Sequence, residues 1–361
     1  MKIKEMNYLV ICPPGLEEIF LKTARRQNIT IKKAVFRYKG MLGRIFLKMN
    51  DDEVKKLYKN PIAERIVKIK KIIILKKANP DLNSLIKELR KVDFSFLKKS
   101  KKWRLNTKVI GVKGIDSEQL NKHVARFLTK KYGIKLCFEI KIKNVLKVDL
   151  FFDVLVIGID ITGKGLHLKR PYLKCTEHPA RLRTTIAAGM LFLTNIKKED
   201  VLLDPFGGIG TIILEAIYNR IVAKKYIYND INPNYFKYMQ QNLQALKKLR
   251  PMKKFARKVR MYNYDFFDKS KIILSGKNNY VIVTDLPTFN NDYKKAKSFT
   301  EKFIYVLVKN IRKIRKICIV ALYNKIGELF MKNGFLLVEK KIISRSGRRA
   351  YVFVFEPPRK K

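Results

Sequence analysis

The sequence predicts an α/β protein. Its C-terminal half reads as a Rossmann-like, mostly parallel sheet with an antiparallel terminal strand, and a smaller α+β half precedes it. Three observations carry this. From residue 178 onward, apolar strand-like runs alternate with helix-like runs, the rhythm of a doubly wound sheet. The run VLLDPFGGIGTIILEA (201–216) sets three glycines between a strand and a helix, where a backbone free of side chains admits close approach. The first part of the chain reads strand, helix, strand, strand, helix, strand, the order of a ferredoxin-like unit.

In chain order, NYLVICPPG is strand-like and ends in a Pro-Pro-Gly turn, and LEEIFLKTARRQ spaces its apolar residues as a helix does. ITIKKAVFRYKGMLGRIFLKM alternates and breaks at Gly40, as a hairpin would. DDEVKKLYKN opens with acids suited to a helix N-terminus, and AERIVKIKKIIILKK returns as a strand. From about Asp81 a second small unit follows: helix DLNSLIKELRKV, strand WRLNTKVIGVKG, and a capped helix DSEQLNKHVARFLTKKYG ending in glycine. CFEIKIKNVLKVDLFFDVLVIGIDITG supplies hairpin material, and the polar GKGLHLKRPYLKCTEHPA reads as a linker. The alternating half then runs helix ARLRTTIAAGMLFLT, strand DVLLDPF, helix TIILEAIYNR, strand KYIYNDIN and helix PNYFKYMQQNLQALKKL. Strands VRMYNYDFFD, NYVIVTDLP and KICIVALYN and helix KIGELFMKNGF complete it, before two strands joined by the Ser344–Arg349 turn.

The chain has 361 residues, 47% of them hydrophobic, enough for two or three domains with real cores. No apolar run approaches the length of a membrane span, and the start has too short an apolar stretch for a signal peptide. The cysteines Cys12, Cys137, Cys175 and Cys318 are scattered, with no CxxC pair, which argues against a zinc site and for a reducing cytoplasm. Lysine and arginine number 80 against 30 acids, a formal +50, so nucleic acid is the first partner to consider. Heavy use of lysine, isoleucine and asparagine throughout also marks a compositional bias.

The glycine loop separates two cofactor classes. A dinucleotide loop wants GxGxxG, whereas Gly208-Ile209-Gly210 is followed by Thr211, Ile212 and Ile213. Asp204, ahead of Pro205 and Phe206, would repel a pyrophosphate but suits a cationic amine. S-adenosylmethionine carries an α-amino group and a sulfonium, with no phosphate. Further acids fall where later strands should end: Asp230, placed to bind ribose hydroxyls, Asp265, placed to accept from an adenine amine with Phe266 covering the ring, and Asp285. An aspartate after a strand is most often a turn residue; four in register with consecutive strands are hard to assign to chance.

DPFGGIGT, NDIN, YDFF and TDLP, in this order, resemble the Rossmann-fold amino-methyltransferases that act on guanine N2 in RNA. VICPPGLEEIF and WRLNTKVIG are similar to the ferredoxin-like segment and THUMP domain that these enzymes carry, and GIDITGKGLHLKRPY with HPARLRTTIAAGML to the junction. The nearest resemblance is to the archaeal and bacterial enzymes that make N2-methylguanosine at position 6 of tRNA; the alternatives are the same chemistry at another tRNA or rRNA guanine, or a catalytically silent RNA-binding relative. It implies a ferredoxin-like segment over 1–65, a THUMP RNA-binding domain over 66–165, a linker over 166–177 and a methyltransferase domain over 178–361. The implied cofactor is S-adenosyl-L-methionine, held by Thr184, Thr185, Asp204, Phe206, Gly207, Gly208, Gly210, Asp230, Ile231, Asp265, Phe266 and Asp285. The implied partner is tRNA, gripped at its acceptor end by the THUMP domain of a monomer, with no metal and no membrane. The implied catalytic set is Asp285, Leu286, Pro287 and Phe289. Asp285 accepts from one N–H of the target amine and the Leu286 carbonyl, its direction fixed by Pro287, takes the other. The family motif continues with an aromatic and glycine; here Thr288 intervenes before Phe289 and Asn290, so either Phe289 shifts in to stack on the base or the stacking residue is lost.

Smaller signals stay open. Trp103 reads as a core aromatic or a stacking surface, and His123 as a surface residue. His178 has no role that the residues themselves define. Thr184 and Thr185 can contact a carboxylate or cap a helix, and RSGRR (345–349) can grip a phosphate.

Overall fold

The computed structural model describes residues 3–76, 79–99, 102–134, 136, 142, 144–163, 165–174, 181–345 and 347–358. The chain divides into two compact units: residues up to Cys12 together with Ala24–Leu168, and Pro13–Thr23 together with the chain from Lys169 onward.

The first unit holds β1 (Tyr8–Ile11), the end of α1 (Glu17–Arg26), β2 (Lys33–Phe36), β3 (Arg44–Lys48), α2 (Asp51–Leu57) and β4 (Arg65–Ile74). It continues with α3 (Leu82–Arg90), β5 (Arg104–Ile110), α4 (Ser117–Tyr132), β6 (Val145–Phe151) and β7 (Val154–Asp160). Their seven strands form one sheet in the order β2-β3-β1-β4-β7-β6-β5. β1 pairs antiparallel with β3 and β4, and β2 with β3, which is the strand order of a ferredoxin-like unit. The ten-residue β4 also pairs with β7 and so carries the same sheet into the later strands. α4 starts on a capping box between Asp116 and Gln119 and stops at Gly133, whose φ of 66° a side chain would resist. Trp103 is a core residue, 4% exposed, with its indole N–H donating to the Leu97 carbonyl at 2.7 Å.

The second unit contains α5 (Thr184–Thr194), β8 (Asp200–Asp204), α6 (Thr211–Tyr218), β9 (Lys225–Asn229), α7 (Pro233–Lys247), α8 (Lys253–Ala256) and β10 (Val259–Tyr262). After these come α9 (Phe266–Ile273), β11 (Asn279–Asp285), α10 (Tyr293–Lys309), β12 (Ile314–Ala321), α11 (Asn324–Lys332), β13 (Leu336–Arg345) and β14 (Arg348–Glu356). The sheet order is β10-β9-β8-β11-β12-β14-β13, with β8 to β12 parallel and β14 antiparallel between β12 and β13. One apolar core on each face covers it. Strand order reverses beside β8, whose neighbours are β9 and β11, so the carboxyl ends of β8 and β11 border the crevice where such sheets bind ligands.

Two segments from outside this alternating pattern complete the unit. Pro13–Thr23 packs into it: Leu16 is fully buried against Gly189 of α5, where an added Cβ would stand 2.5 Å from the leucine Cδ1. Gly15, at φ +82°, lies so close to β13 that a Cβ would meet the Ile342 carbonyl oxygen at 2.5 Å. Arg170 and Tyr172, from the stretch read as a linker, are buried on the same unit. Both bond the carboxylate of Glu215 in α6, the Arg170 Nε–Oε1 distance being 2.7 Å.

The structure departs from the sequence reading at β10 and at two helices, the short α8 among them, that the pattern leaves unassigned. YNYDFFD is not wholly strand: β10 stops at Tyr262, and Asp265 caps α9 by accepting from the Phe267 N–H at 2.8 Å. The segment between TDLP and KICIVALYN, to which the sequence pattern assigns no element, forms the long helix α10. His178, Cys137, Cys175 and most of the CFEIKIK run lie outside the described residues.

Candidate cofactor and catalytic site

The glycine loop follows β8, and its three glycines answer to different constraints. Gly208 has φ +53° and open space where its side chain would stand, so it is the point that a ligand can approach. Gly207 and Gly210 are demanded by packing: a Cβ would meet the Tyr228 ring at 2.4 Å and the Met239 sulfur at 2.0 Å, respectively. Tyr228 braces the loop by donating to the Gly208 carbonyl at 2.7 Å.

A cavity of about 70 Å³ opens at this loop, lined by Arg181, Leu182, Asp204, Phe206, Gly207, Gly208, Ile209, Thr211, Ile212 and Asp285. Asp204, 1% exposed, accepts from the Thr284 hydroxyl at 2.8 Å. Burial pushes its carboxyl well above the usual range, and the neighbouring charges of Asp230 and Asp285 add to this. Burial also raises Asp285, to about 6, against the lowering influence of Arg345. Two carboxylates under such strain favour a cationic ligand. On the same wall, Arg181 Nη1 is buried without a hydrogen-bond partner among the described residues, and burial lowers the arginine's pKa. A guanidinium nitrogen and a carboxylate oxygen, Arg181 Nη1 and Asp285 Oδ1, each without a partner among the described residues and on groups lining one cavity, suit an amino-acid head group, which carries both an acceptor and donors. Sequence reasoning missed Arg181, although it stands three residues ahead of the threonine pair in HPARLRTT. Thr184 and Thr185 are buried in the first turn of α5 and do not line this cavity.

Asp230, at the end of β9, binds the loop itself: Oδ2 accepts from the Gly208 N–H and Oδ1 from the Asn232 N–H, both at 2.8 Å. Carboxylate oxygens accept more than one donor, so this brace leaves capacity for hydroxyls. Beside it Ile231 is 64% exposed and Tyr264 is 41% exposed, an apolar rim at the strand ends. Asp265 lies at the same edge as the α9 cap. Phe266, expected to cover a bound ring, is only 2% exposed and packs at 5.6 Å from Phe206 and 5.9 Å from Phe303, so the structure uses it as core.

Asp285 ends β11. Its Oδ2 lies 2.7 Å from Arg345 Nη2, while its Oδ1 is buried with no hydrogen-bond partner among the described residues. The Leu286 N–H donates to the Val320 carbonyl at 3.1 Å, which fixes the peptide between Asp285 and Leu286. Phe289, Asn290 and Asn291 all have left-handed φ, at 47°, 51° and 70°. Asparagine tolerates this; phenylalanine does so at a cost of about 1–3 kcal/mol. The Phe289 ring rests 5.2 Å from Phe299, which in turn lies 4.9 Å from Phe206 of the glycine loop. A second aromatic, Tyr323, lines a small cavity with Leu286, Pro287 and Thr288. Of the three arginines in the β13–β14 turn, Arg345 faces inward onto Asp285 while Arg348 and Arg349 are exposed. Among the described residues no cluster of His, Cys, Asp and Glu could hold a metal ion, and no helix is long and apolar enough to cross a membrane.

Against known proteins, residues 171–344 match the family model described as RMKL-like, methyltransferase domain. The tRNA (guanine(6)-N2)-methyltransferase of Methanocaldococcus jannaschii is 25% identical over 77% of this chain and 68% of its own length. The protein of the same name from Archaeoglobus fulgidus is 26% identical over 58% of this chain, which spans only 53% of that relative. Among solved structures, TrmN from Thermus thermophilus superposes with a TM-score of 0.74 at 17% identity, covering 98% of this chain and 99% of its own. At that identity the likeness establishes the fold.

Proposed function

We propose that this chain, whose residues 171–344 form an RMKL-like methyltransferase domain, is an S-adenosylmethionine-dependent methyltransferase that forms N2-methylguanosine in tRNA, at position 6 of the acceptor stem. The observation that carries the cofactor reading is the lining of the glycine-loop cavity, which holds two raised carboxyls and an arginine whose Nη1 has no hydrogen-bond partner among the described residues. A pyrophosphate would meet Asp204 there; a methionine head group meets a partner for each of its charges. The substrate reading rests on the similarity to tRNA guanine-N2 enzymes together with the Asp285-Leu286-Pro287 edge.

When bound, the cofactor supplies a methyl group on a sulfonium. The chain's own residues deal with the nucleophile. Guanine N2 is a weak one because its lone pair is delocalised into the ring. Asp285 Oδ1 accepts from one amine N–H and the Leu286 carbonyl from the other, which turns the lone pair out of conjugation and toward the methyl. The new N–C bond would form as the sulfonium's bond to the methyl breaks and leaves a neutral thioether. The positive charge that grows on the nitrogen lies beside the Asp285 carboxylate, where most of the rate gain arises, and Asp285 Oδ1 takes the proton that the methylated amine then loses. Ile231 and Asp230 fit the adenosine part, as apolar cover and hydroxyl acceptor. The first unit acts as the THUMP RNA-binding module, and Arg348 and Arg349 offer bidentate contacts to a backbone phosphate.

The test is methylation of a tRNA transcript by the full-length protein, followed by mass-spectrometric mapping. The expected product is one methyl on N2 of guanosine 6, abolished when inosine, which lacks the 2-amino group, replaces that nucleotide. A methyl mapped to a guanine at another position would keep the chemistry and remove the acceptor-stem assignment. Methylation that persists on inosine would remove both.

A further inference from the structure

We propose that Arg345 is a positioning residue for methyl transfer: its guanidinium anchors one oxygen of Asp285 so that the other is presented to the target amine. This rests on the functional reading above and adds a residue to it. Two facts carry it. Arg345 Nη2 lies 2.7 Å from Asp285 Oδ2, with the two side chains 10% and 14% exposed. Asp285 Oδ1, on the same carboxylate, is buried, lacks a partner among the described residues, and belongs to a group that lines the glycine-loop cavity.

The topology shows why the contact is aimed. β12 and β14 separate β11 from β13 in the sheet, so Arg345 reaches across the ends of two strands to meet Asp285. The hairpin does not need this bond to close, because β13 and β14 are already paired from Leu336–Glu356 to Arg345–Arg348. A partly buried ion pair adds little net stability by itself. What it does fix is the rotation of the carboxylate. Without Arg345, Asp285 would be free to turn either oxygen, or neither, toward the amine, and burial would favour its protonated form, which cannot accept as an anion. Arg345 from β13 pairs with Asp285, and the other charged groups that share its cavity are Asp204 from β8 and Arg181 from the segment ahead of α5. Only Arg345 holds a direct ion pair with it among the described residues.

The experiment compares wild-type, Arg345→Met and Arg345→Lys full-length proteins on a guanosine-containing tRNA transcript. It reads kcat, KM for RNA, the pH dependence of the rate, S-adenosylhomocysteine affinity and the thermal midpoint. Arg345→Met should lower kcat by about 10- to 100-fold, leave KM and S-adenosylhomocysteine affinity within about two-fold, and move the acid limb of the rate to higher pH. Arg345→Lys should bring the limb back toward the wild-type position while recovering only part of kcat, since a point charge restores ionisation but not the planar grip. A wild-type kcat and limb in Arg345→Met would overturn the proposal, as would a loss confined to KM. If Arg345→Met fails to fold, an unaltered kcat in Arg345→Lys would overturn it equally. A wild-type protein that methylates no guanine would instead overturn the functional reading, a separate result.

Discussion

Replacing Arg181 by methionine tests the zwitterion reading of the cavity directly. The substitution keeps an unbranched side chain of similar reach and removes the guanidinium. In the wild type, Nη1 is already withdrawn from water and has no acceptor among the described residues, so much of the desolvation cost precedes binding. A carboxylate placed there gains a charge-assisted bond, which contributes about 1.5–3 kcal/mol. Loss of that bond should weaken S-adenosylhomocysteine binding by roughly 10- to 150-fold. 5′-Methylthioadenosine has the same nucleoside and thioether but no amino-acid head, so Arg181→Met should leave its affinity unchanged. Calorimetric titration of both ligands into both proteins measures the four constants. An equal loss for the two ligands, or none for either, would refute the assignment, because Arg181 would then be shaping the loop or doing nothing there.

The Asp285 carboxyl, raised to about 6, predicts that kcat/KM for the cofactor at saturating RNA climbs about ten-fold between about pH 5 and pH 7 and then levels; a limb unchanged in Asp285→Asn would exclude this group. Stability should run the other way. The folded chain favours protonated Asp285, so this group's contribution grows as pH falls from about 6 toward the ordinary value of 3.8, by about 3 kcal/mol, which urea denaturation at several pH values can follow. Gly207→Ala forces a Cβ to 2.4 Å from Tyr228, itself tied to the Gly208 carbonyl, and should destabilise the protein by about 1–3 kcal/mol. Gly208→Ala meets open space but strains the φ of +53°, so it should lower the chemical-denaturation midpoint through about 1 kcal/mol of backbone strain and also reduce cofactor affinity. Phe289→Gly relieves the φ of 47° while removing the ring. It should change the thermal midpoint little but weaken base capture by about 1–3 kcal/mol, and an unaltered KM for RNA would show that the ring does not stack on the base.

The legible parts of this molecule are those encoded locally. Alternating apolar runs mark the strands of the second unit, and the acid-glycine loop after β8 separates two ligand classes on residue chemistry alone. Asp204 and Asp285 do line one cavity, because strands parallel in the sheet deliver their ends to a common edge. Arg345 could not be read this way. Its meeting with Asp285 depends on β14 folding back between β12 and β13, and the sequence of the turn shows only three arginines of equal standing. Phe266 shows the opposite failure: an aromatic after a strand suits a ring-covering role, but the short β10 and the Asp265 cap turn it into α9, where it packs inward. Arg181 was hidden by its surroundings, since one more cation in a chain of 80 carries no signal until burial strips it of partners.

The placement of Pro13–Thr23 bears on how the protein is made. This segment leaves the ribosome long before β13, on which it packs; Glu18 and Lys341, 3.5 Å apart, are separated by 323 positions. At about 5–20 residues per second, the interval between the two is on the order of 15–60 s. Leu16 and the face of α5 around Gly189 can meet earlier, but the contact of Gly15 with Ile342 cannot form until β13 has been made. The second unit therefore cannot close until β13 has emerged, although its first segment precedes most of the first unit in the chain. A nascent chain halted before β13 would carry a formed first sheet and an apolar hook with part of its dock missing, the state in which chaperone capture and proteolysis compete for it.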